Sequence, residues 1–422
     1  MTISASHQKP VDQQTIVIIG GSHAGIACAE RLRKLGHTGA ITMIDRLSGL
    51  PLERPPLSKA FLKSDAAGDA SFALRPDSWF ADNDIIFMDG CDVTAIAADD
   101  HQLTLADGQT LNWDQLVLAT GAYPRPLPVP GGDSDQLMVL RHPDDARGLR
   151  EKLHLAQTVS IIGGGYIGLE VAASARSLGK NVSVIEAADR LLARVASTKA
   201  SAYFDALHRS HGVAVHTNAQ VSGIIPSGQQ MTVTTKDNMS IDADLVIAGI
   251  GVIPDMDIAA TAGISTGNGI MTDTCYRTSH PDIFAIGDVA LAADGYTHGQ
   301  IRLESVHHAQ MSADIAAHTI MGQPAGLHEV PWFWSEQYDQ RLQSAGLVPA
   351  EHETVRRDGR RDGQISFWSF AADGSLAAVE SLNDAQAYMV GRHLLSADQA
   401  DQPVTIDVIA DPATDLKTLM RR

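Results

Sequence analysis

Two short glycine-rich turns, Gly20-Gly21-Ser22-His23-Ala24-Gly25 and Gly163-Gly164-Gly165-Tyr166-Ile167-Gly168, are the parts of this chain best suited to hold a phosphate. In the second, Gly163, Gly165 and Gly168 satisfy a GxGxxG spacing, which permits a tight turn, close approach of a pyrophosphate and close packing of helix on strand. Free N–H groups at the start of the next helix then favour negative charge. Glu186, 23 residues after Gly163, can accept hydrogen bonds from both ribose hydroxyls of an adenine dinucleotide. Its carboxylate repels a 2′-phosphate, so NADH is expected over NADPH, although nearby Arg190 keeps NADPH open. The first turn carries Ser22 at the second glycine position, where a small hydroxyl residue can still face a phosphate. Asp45, 25 residues after Gly20, supplies the ribose acceptor. Two such sites call for two dinucleotides, and FAD with a nicotinamide is the simplest redox pair. His23 reads as a polar turn residue rather than a catalytic base.

The elements that must position these turns form an internal repeat with a spacing of 143 residues, from Gly20 to Gly163. In the first copy, Thr15 to Ile19 reads as a strand, Ile26 to Leu35 as a helix stopped by Gly36, and Ile41 to Asp45 as the next strand. In the second, strand Val159 to Ile162 leads through the turn into a helix to Leu178, a stop at Gly179, and strand Val182 to Glu186. Gln115 to Thr120 is a further apolar strand, followed by a crossing rich in proline (Pro124, Pro126, Pro128, Pro130). Leu245 to Ile250 and Ile283 to Ile286 read as strands returning to the first domain. Beyond Glu329 the texture changes: Ser366 to Phe370 and Leu376 to Val379 flank a hairpin signal at Asp373-Gly374, ahead of a helix near Asp384 to Leu395. The expected fold class is α/β, with two Rossmann-like dinucleotide-binding domains and a C-terminal α+β domain. The boundaries are 12–118 and 247–325 for FAD, 119–246 for NAD, and 326–422 for the last domain.

At 422 residues the chain is long enough for roughly two to four domains. Fifty acidic against 32 basic side chains give a net charge of −18, which argues against nucleic acid or an anionic membrane as a partner. The sequence has no apolar run of about 20 residues and no signal-like N-terminus, so a cytoplasmic protein without a membrane partner is expected. Cys28, Cys91 and Cys275 form no CxxC pair and no metal-ligand spacing, so they read as structural residues and no metal site is expected.

The ordered set Glu53-Arg54-Pro55-Pro56-Leu57-Ser58-Lys59, Ala119-Thr120-Gly121, Gly163 to Glu170, Gly249-Ile250-Gly251-Val252-Ile253-Pro254, Ala285-Ile286-Gly287-Asp288, Arg302-Leu303-Glu304-Ser305 and Pro331-Trp332-Phe333-Trp334-Ser335 spans almost the whole chain. In it the chain resembles the FAD-dependent NADH:ferredoxin reductases of oxygenase electron-transfer chains, two-dinucleotide flavoproteins of glutathione-reductase-like architecture. The resemblance implies that Gly20, Ser22, His23, Ala24, Gly25, Asp45, Arg46, Ala119, Thr120 and Gly121 hold FAD. It further implies that Arg54 and Lys59 lie along the flavin, that Asp288 beside Gly287 bonds its ribityl chain, and that the helix starting at Ser305 and Val306, with Ala309, points at its pyrimidine end. Trp334, or Trp332 beside it, is implied near the flavin edge and the ferredoxin surface; both are equally readable as core aromatics. Gly163, Gly165, Tyr166, Ile167, Gly168, Glu170, Glu186 and Gly251 are implied at the NAD site, with Lys59 and Glu170 together at the reacting centre.

The activity so implied is hydride transfer from NADH to FAD, then single-electron transfer to a [2Fe-2S] ferredoxin serving a cytochrome P450 or Rieske oxygenase, by a monomer or homodimer. Two other readings stay open. A disulfide reductase or NADH oxidase would need a redox cysteine after the first acidic strand, and Arg46 to Lys63 contains none. A redox-responsive FAD/NADH-binding protein would use the same cradles to alter a docking surface. Arg75, Arg302, Arg341 and the group Arg356, Arg357, Arg360 and Arg361 are the candidate cations for an acidic ferredoxin.

Overall fold

The run Ile16–Ile19 is buried at all four positions, as a β-branched strand must be when both faces of a parallel sheet are covered. It lies at the centre of a five-stranded parallel sheet ordered Ile283–Ala285, Gln115–Leu118, Ile16–Ile19, Ile41–Ile44, Ile85–Met88. The computed structural model describes residues 9–64, 69–228, 230–294, 299–326, 328–396 and 404–420. They fall into two compact units, the first taking residues 9–53, 69–123 and 254–329, the second residues 54–64, 124–253 and 330–420.

In the first unit, helices His23–Lys34 and Val306–Ile320 pack together, and two small sheets complete the body. The helix begins at His23, three residues before the expected Ile26, because Ser22 already has the extended backbone of an N-cap. It ends as expected at Gly36, where the Gly36 and His37 N–H groups bond back to the Arg33 and Leu32 carbonyls.

The second unit holds a four-stranded parallel sheet ordered Ala214–His216, Asn181–Ile185, Thr158–Ile162, Leu245–Ala248. Here one expectation fails: strand Leu245–Ala248 does not return to the first sheet but pairs in parallel with Thr158–Ile162. A short apolar run announces a doubly covered strand, yet it carries no mark of which sheet it joins. The C-terminal hairpin forms as expected, strands Ile365–Ala371 and Leu376–Leu382 sitting in a five-stranded antiparallel sheet that starts with Trp332–Gln337. Asp384 caps helix Ala385–Leu394 through the Ala387 N–H. The sheet packs within the second unit, where Leu342, Phe367 and Leu382 share one hydrophobic core with Leu169, Val171 and Phe204.

The strap carrying Arg54, Ser58 and Lys59 also belongs to the second unit. Leu62, 0% exposed, enters the same core, the Ser174 hydroxyl donates to the Ser58 carbonyl, and Arg150 lies over the Phe61 ring. If this burial anchors the strap, Leu62→Ala should lower the stability of the second unit by about 3 kcal/mol in denaturant unfolding. A loss under about 1 kcal/mol would mean that the strap is held by its polar contacts instead.

Candidate functional site

The two glycine turns are built alike. Gly20 and Gly163 have φ of +113° and +108°, and a Cβ on either would lie 2.2 Å from the Ala119 carbonyl oxygen or 2.3 Å from that of Gly249. Only glycine lets strand and turn approach so closely. The following acid closes each turn: Asp45 accepts from the Gly21 and Leu47 N–H groups at 3.0 and 2.9 Å, and Glu186 from those of Gly164 and Ala188 at 2.6 and 2.7 Å. One carboxylate oxygen thus holds the turn while the other holds the next loop, and each still has acceptor capacity for a ribose hydroxyl.

The helices that follow start without a side-chain cap. Neither Ser22 nor Gly165 makes one, whereas Ser197, Ser305 and Asp384 cap their own helices. A Cβ on Gly165 would meet no atom within 4 Å, so the space in front of this N-terminus is open. Uncapped N–H groups at each turn, facing open space in the second, with an acid closing each turn, fit a dinucleotide phosphate.

Around the first turn the structure gathers the other first-unit candidates. A Cβ on Gly287 would touch the Cβ atoms of Ala24 at 2.9 Å and Ala309 at 3.9 Å. The Thr120 hydroxyl donates to the Asp255 carbonyl at 2.6 Å, the Asp255 N–H donates to Gly121, and the Asp255 carboxylate pairs with Arg46 at 2.8 Å. These residues crowd the carboxyl ends of adjacent parallel strands, where the order of the sheet reverses, the usual location for a ligand in such sheets. Val306 opens the helix that Ser305 caps, and the Asp288 carbonyl accepts from Arg302 at 3.1 Å. Arg54, Lys59 and Trp334 lie instead in the second unit. There Arg54 donates to the Arg141 carbonyl and meets the His142 ring at 3.1 Å. Trp334 stands in strand Trp332–Gln337 with its ring 5.6 Å from that of Trp332.

Near the second turn, Ile167 is exposed and Tyr166 lies against the Phe333 ring at 4.5 Å. The Tyr166 phenol is pushed well above its ordinary value by burial, then by the carboxylates of Glu380 and Glu170. Gly251 accepts from the Arg125 N–H. One turn into helix Tyr166–Ser177, Glu170 is 3% exposed and receives three donors: Lys59 Nζ at 2.9 Å and Ser58 Oγ at 2.5 Å on Oε2, and Ser335 Oγ at 2.6 Å on Oε1. Lys59 and Glu170 are therefore together, as the sequence leads one to expect, but the two serines were not singled out there. A neutral hydroxyl inside a motif gives no signal that it serves a buried charge.

Three arginines are committed in ways the sequence does not reveal. Arg190 spends its guanidinium on the carbonyls of Ala193 and Ala196, at 2.9 and 3.1 Å. Arg302, a candidate docking cation, has a side chain only 10% exposed and pairs with Glu304 at 2.7 Å, which removes it from that role. Arg357 is likewise committed to the carbonyls of Ile409, Asp411 and Thr414. Cys28 is buried and its thiol is pushed up to about 12 by that burial, which leaves it unreactive. Among the described residues, no helix is long and apolar enough to cross a membrane and no cluster of His, Cys, Asp or Glu could hold a metal.

Glu380, 1% exposed, sets both carboxylate oxygens 3.2 Å from the Ser197 N–H. Burial raises its pKa from 4.5 to about 7, with the Ser197 hydrogen bonds and Arg190 opposing the rise. A raised acid favours the fold fully below its unfolded value, and that contribution is lost as pH climbs through the folded one. Between pH 4.5 and pH 8 the wild type should lose about 3 kcal/mol relative to Glu380→Gln. Parallel pH–stability curves for the two proteins would contradict this assignment.

A family model described as Pyridine nucleotide-disulphide oxidoreductase matches residues 14–313, and one described as Reductase C-terminal matches residues 332–420. The chain is 39% identical to rhodocoxin reductase of Rhodococcus erythropolis over 97% of this chain and 95% of that protein. It is 38% identical to a ferredoxin–NAD(P)(+) reductase of a Sphingomonas species, covering 96% of this chain and 97% of the relative. The crystal structure of a covalent putidaredoxin reductase–putidaredoxin complex is similar at a TM-score of 0.91 and 35% identity, over 97% of this chain and 98% of that one.

Proposed function

We propose, because the chain belongs to the pyridine nucleotide-disulphide oxidoreductase family, that it is an NADH-dependent ferredoxin reductase of an oxygenase system. Membership brings flavin and NAD(P)H use with it. The finer reading is FAD on the first unit and NADH on the second, with the boundary after strand Leu245–Ala248 rather than inside it. The observation that carries it is the repetition of one uncapped, acid-closed glycine turn in two separate units.

The chemistry FAD supplies is uptake of a hydride from NADH and its return as single electrons to a [2Fe-2S] ferredoxin. The chain's own residues bind and orient. Helix N-termini at Ser22 and Gly165 would hold the two pyrophosphates, Asp45 and Glu186 the riboses, and Thr120, Gly121, Asp288 and Ala309 would frame the flavin end. Lys59 would supply a cation to hydride transfer, where a positive charge stabilises negative charge as it develops. Glu170 fixes the ammonium in place. NADH is favoured because Glu186 repels a 2′-phosphate and Arg190, tied to Ala193 and Ala196, is not available to bind one. The disulfide-reductase reading lacks its reagent, since Arg46 to Lys63 contains no cysteine and Cys28, ahead of that segment, is buried.

The direct test is purification, identification of the bound flavin, and NADH-dependent reduction of [2Fe-2S] ferredoxins. A kcat/KM for NADPH above that for NADH would refute the coenzyme assignment. Gly165→Ala adds a methyl group only to open space, so its stability should stay within about 1 kcal/mol of wild type. That methyl obstructs the phosphate, however, and KM for NADH should rise about tenfold or more; an unchanged KM would exclude this turn as the cradle. Lys59→Met should slow reduction of the flavin by NADH about 100-fold, read by stopped-flow absorbance with bound flavin unchanged.

A further inference from the structure

Behind Glu170 the hydrogen bonds continue into the protein. The hydroxyl of Ser335 that donates to Glu170 Oε1 at 2.6 Å receives Gln337 Nε2 at 3.2 Å. Gln337 Oε1 lies 2.8 Å from His208 Nε2, and His208 Nδ1 lies 3.2 Å from the Tyr338 hydroxyl. Glu170, Ser335, Gln337 and His208 are all buried. Ser335 and Gln337 are alternate residues of strand Trp332–Gln337, so they share one face of the sheet. His208 stands in helix Thr198–Ser210.

The chemistry of each group fixes the direction of the chain. An amide oxygen can only accept, so His208 carries its proton on Nε2 and its Nδ1 accepts from Tyr338. The Gln337 amide nitrogen then donates to Ser335, and Ser335 to the carboxylate. All four donors point the same way, towards Glu170, and each bond polarises the next. The chain is not a proton wire: the Gln337 amide would have to release one of its own N–H protons to pass another on. What it transmits is orientation. A serine hydroxyl alone could rotate away from Oε1; with Gln337 donating to its oxygen, the Ser335 proton is left facing the carboxylate.

We propose that Gln337 and His208 are positioning residues for hydride transfer, acting through Ser335 to hold the Glu170 carboxylate, and with it Lys59, in the orientation the reaction needs. This rests on the role given above to the Lys59–Glu170 pair. It assigns to the C-terminal sheet, and to a histidine two elements removed, a part in the reductive step.

The proposal is tested on the flavin-loaded protein and, separately, without flavin. In stopped-flow reduction, Gln337→Leu should lower the limiting rate constant about tenfold while NADH affinity stays within about twofold, the split expected of lost orientation rather than lost binding. His208→Phe should behave similarly, whereas His208→Gln, whose amide N–H can replace Nε2–H, should recover most of the rate. In flavin-free wild type, 15N NMR of the histidines should show His208 as the Nε2–H tautomer, with its signals shifting in Glu170→Gln. A wild-type rate in Gln337→Leu, or an Nδ1–H tautomer for His208, would overturn the proposal. Lys59→Met and Glu170→Gln separate the two levels. If both reduce at wild-type rates the role of the pair itself falls; if they are slow and Gln337→Leu is not, only the chain falls.

Discussion

A carboxylate taken out of water is tolerated only where donors replace the water it has lost, and Glu170 meets that condition with three side chains from two segments distant in sequence. Its own helix supplies the backbone, the strap carrying Ser58 and Lys59 supplies two donors, and strand Trp332–Gln337 supplies the third. Removing one donor leaves the others facing a charge with one interaction fewer, so the segments are coupled through a single side chain. Lys59 consequently belongs to the body that carries the second glycine turn, although it lies among residues that precede most of the first unit in the chain.

The repeat shows how one local solution serves twice. In each copy the acid at the end of the second strand first closes the glycine turn through a backbone N–H, and that same bond aims the remaining lone pairs outward. A turn residue with a capping side chain would satisfy the helix N-terminus internally, as Ser305 does for the helix Val306–Ile320. Leaving Ser22 and Gly165 without caps keeps that electrostatic demand for a ligand. The substitution of serine for glycine in the first copy is compatible with this, because Ser22 makes no side-chain bond to the helix N–H groups, its hydroxyl lying 3.4 Å from the His23 ring.

Much of this was legible from residue order alone. Periodicity and glycine stops located both helices, and the Asp373-Gly374 turn located the C-terminal hairpin. What stayed hidden depends on partners far away in the chain. The burial of Leu245–Ala248 is written in its apolar side chains, but its neighbour is decided by the sheet edge left open beside Thr158–Ile162. Ser335 and Gln337 look like ordinary polar strand residues until the two helices that present Glu170 and His208 are placed. Arg190 looks available for a phosphate until the loop through Ala196 folds back onto it.

The same distinction between a charge in the sequence and a charge in the structure bears on partner recognition. Net charge is −18, which opposes the approach of any partner of the same sign. Of the arginines that could attract it, Arg75 pairs with Glu30, Arg356 with Asp358 and Arg360 with Asp415, while Arg302 and Arg357 are held internally. Arg341, 58% exposed and 3.9 Å from Glu336, is the least engaged of the set with a described pairing. A few exposed cations on an acidic body give weak long-range steering, which salt screens within about 8–10 Å. Attraction at a distance therefore contributes little for a partner of like charge on this surface.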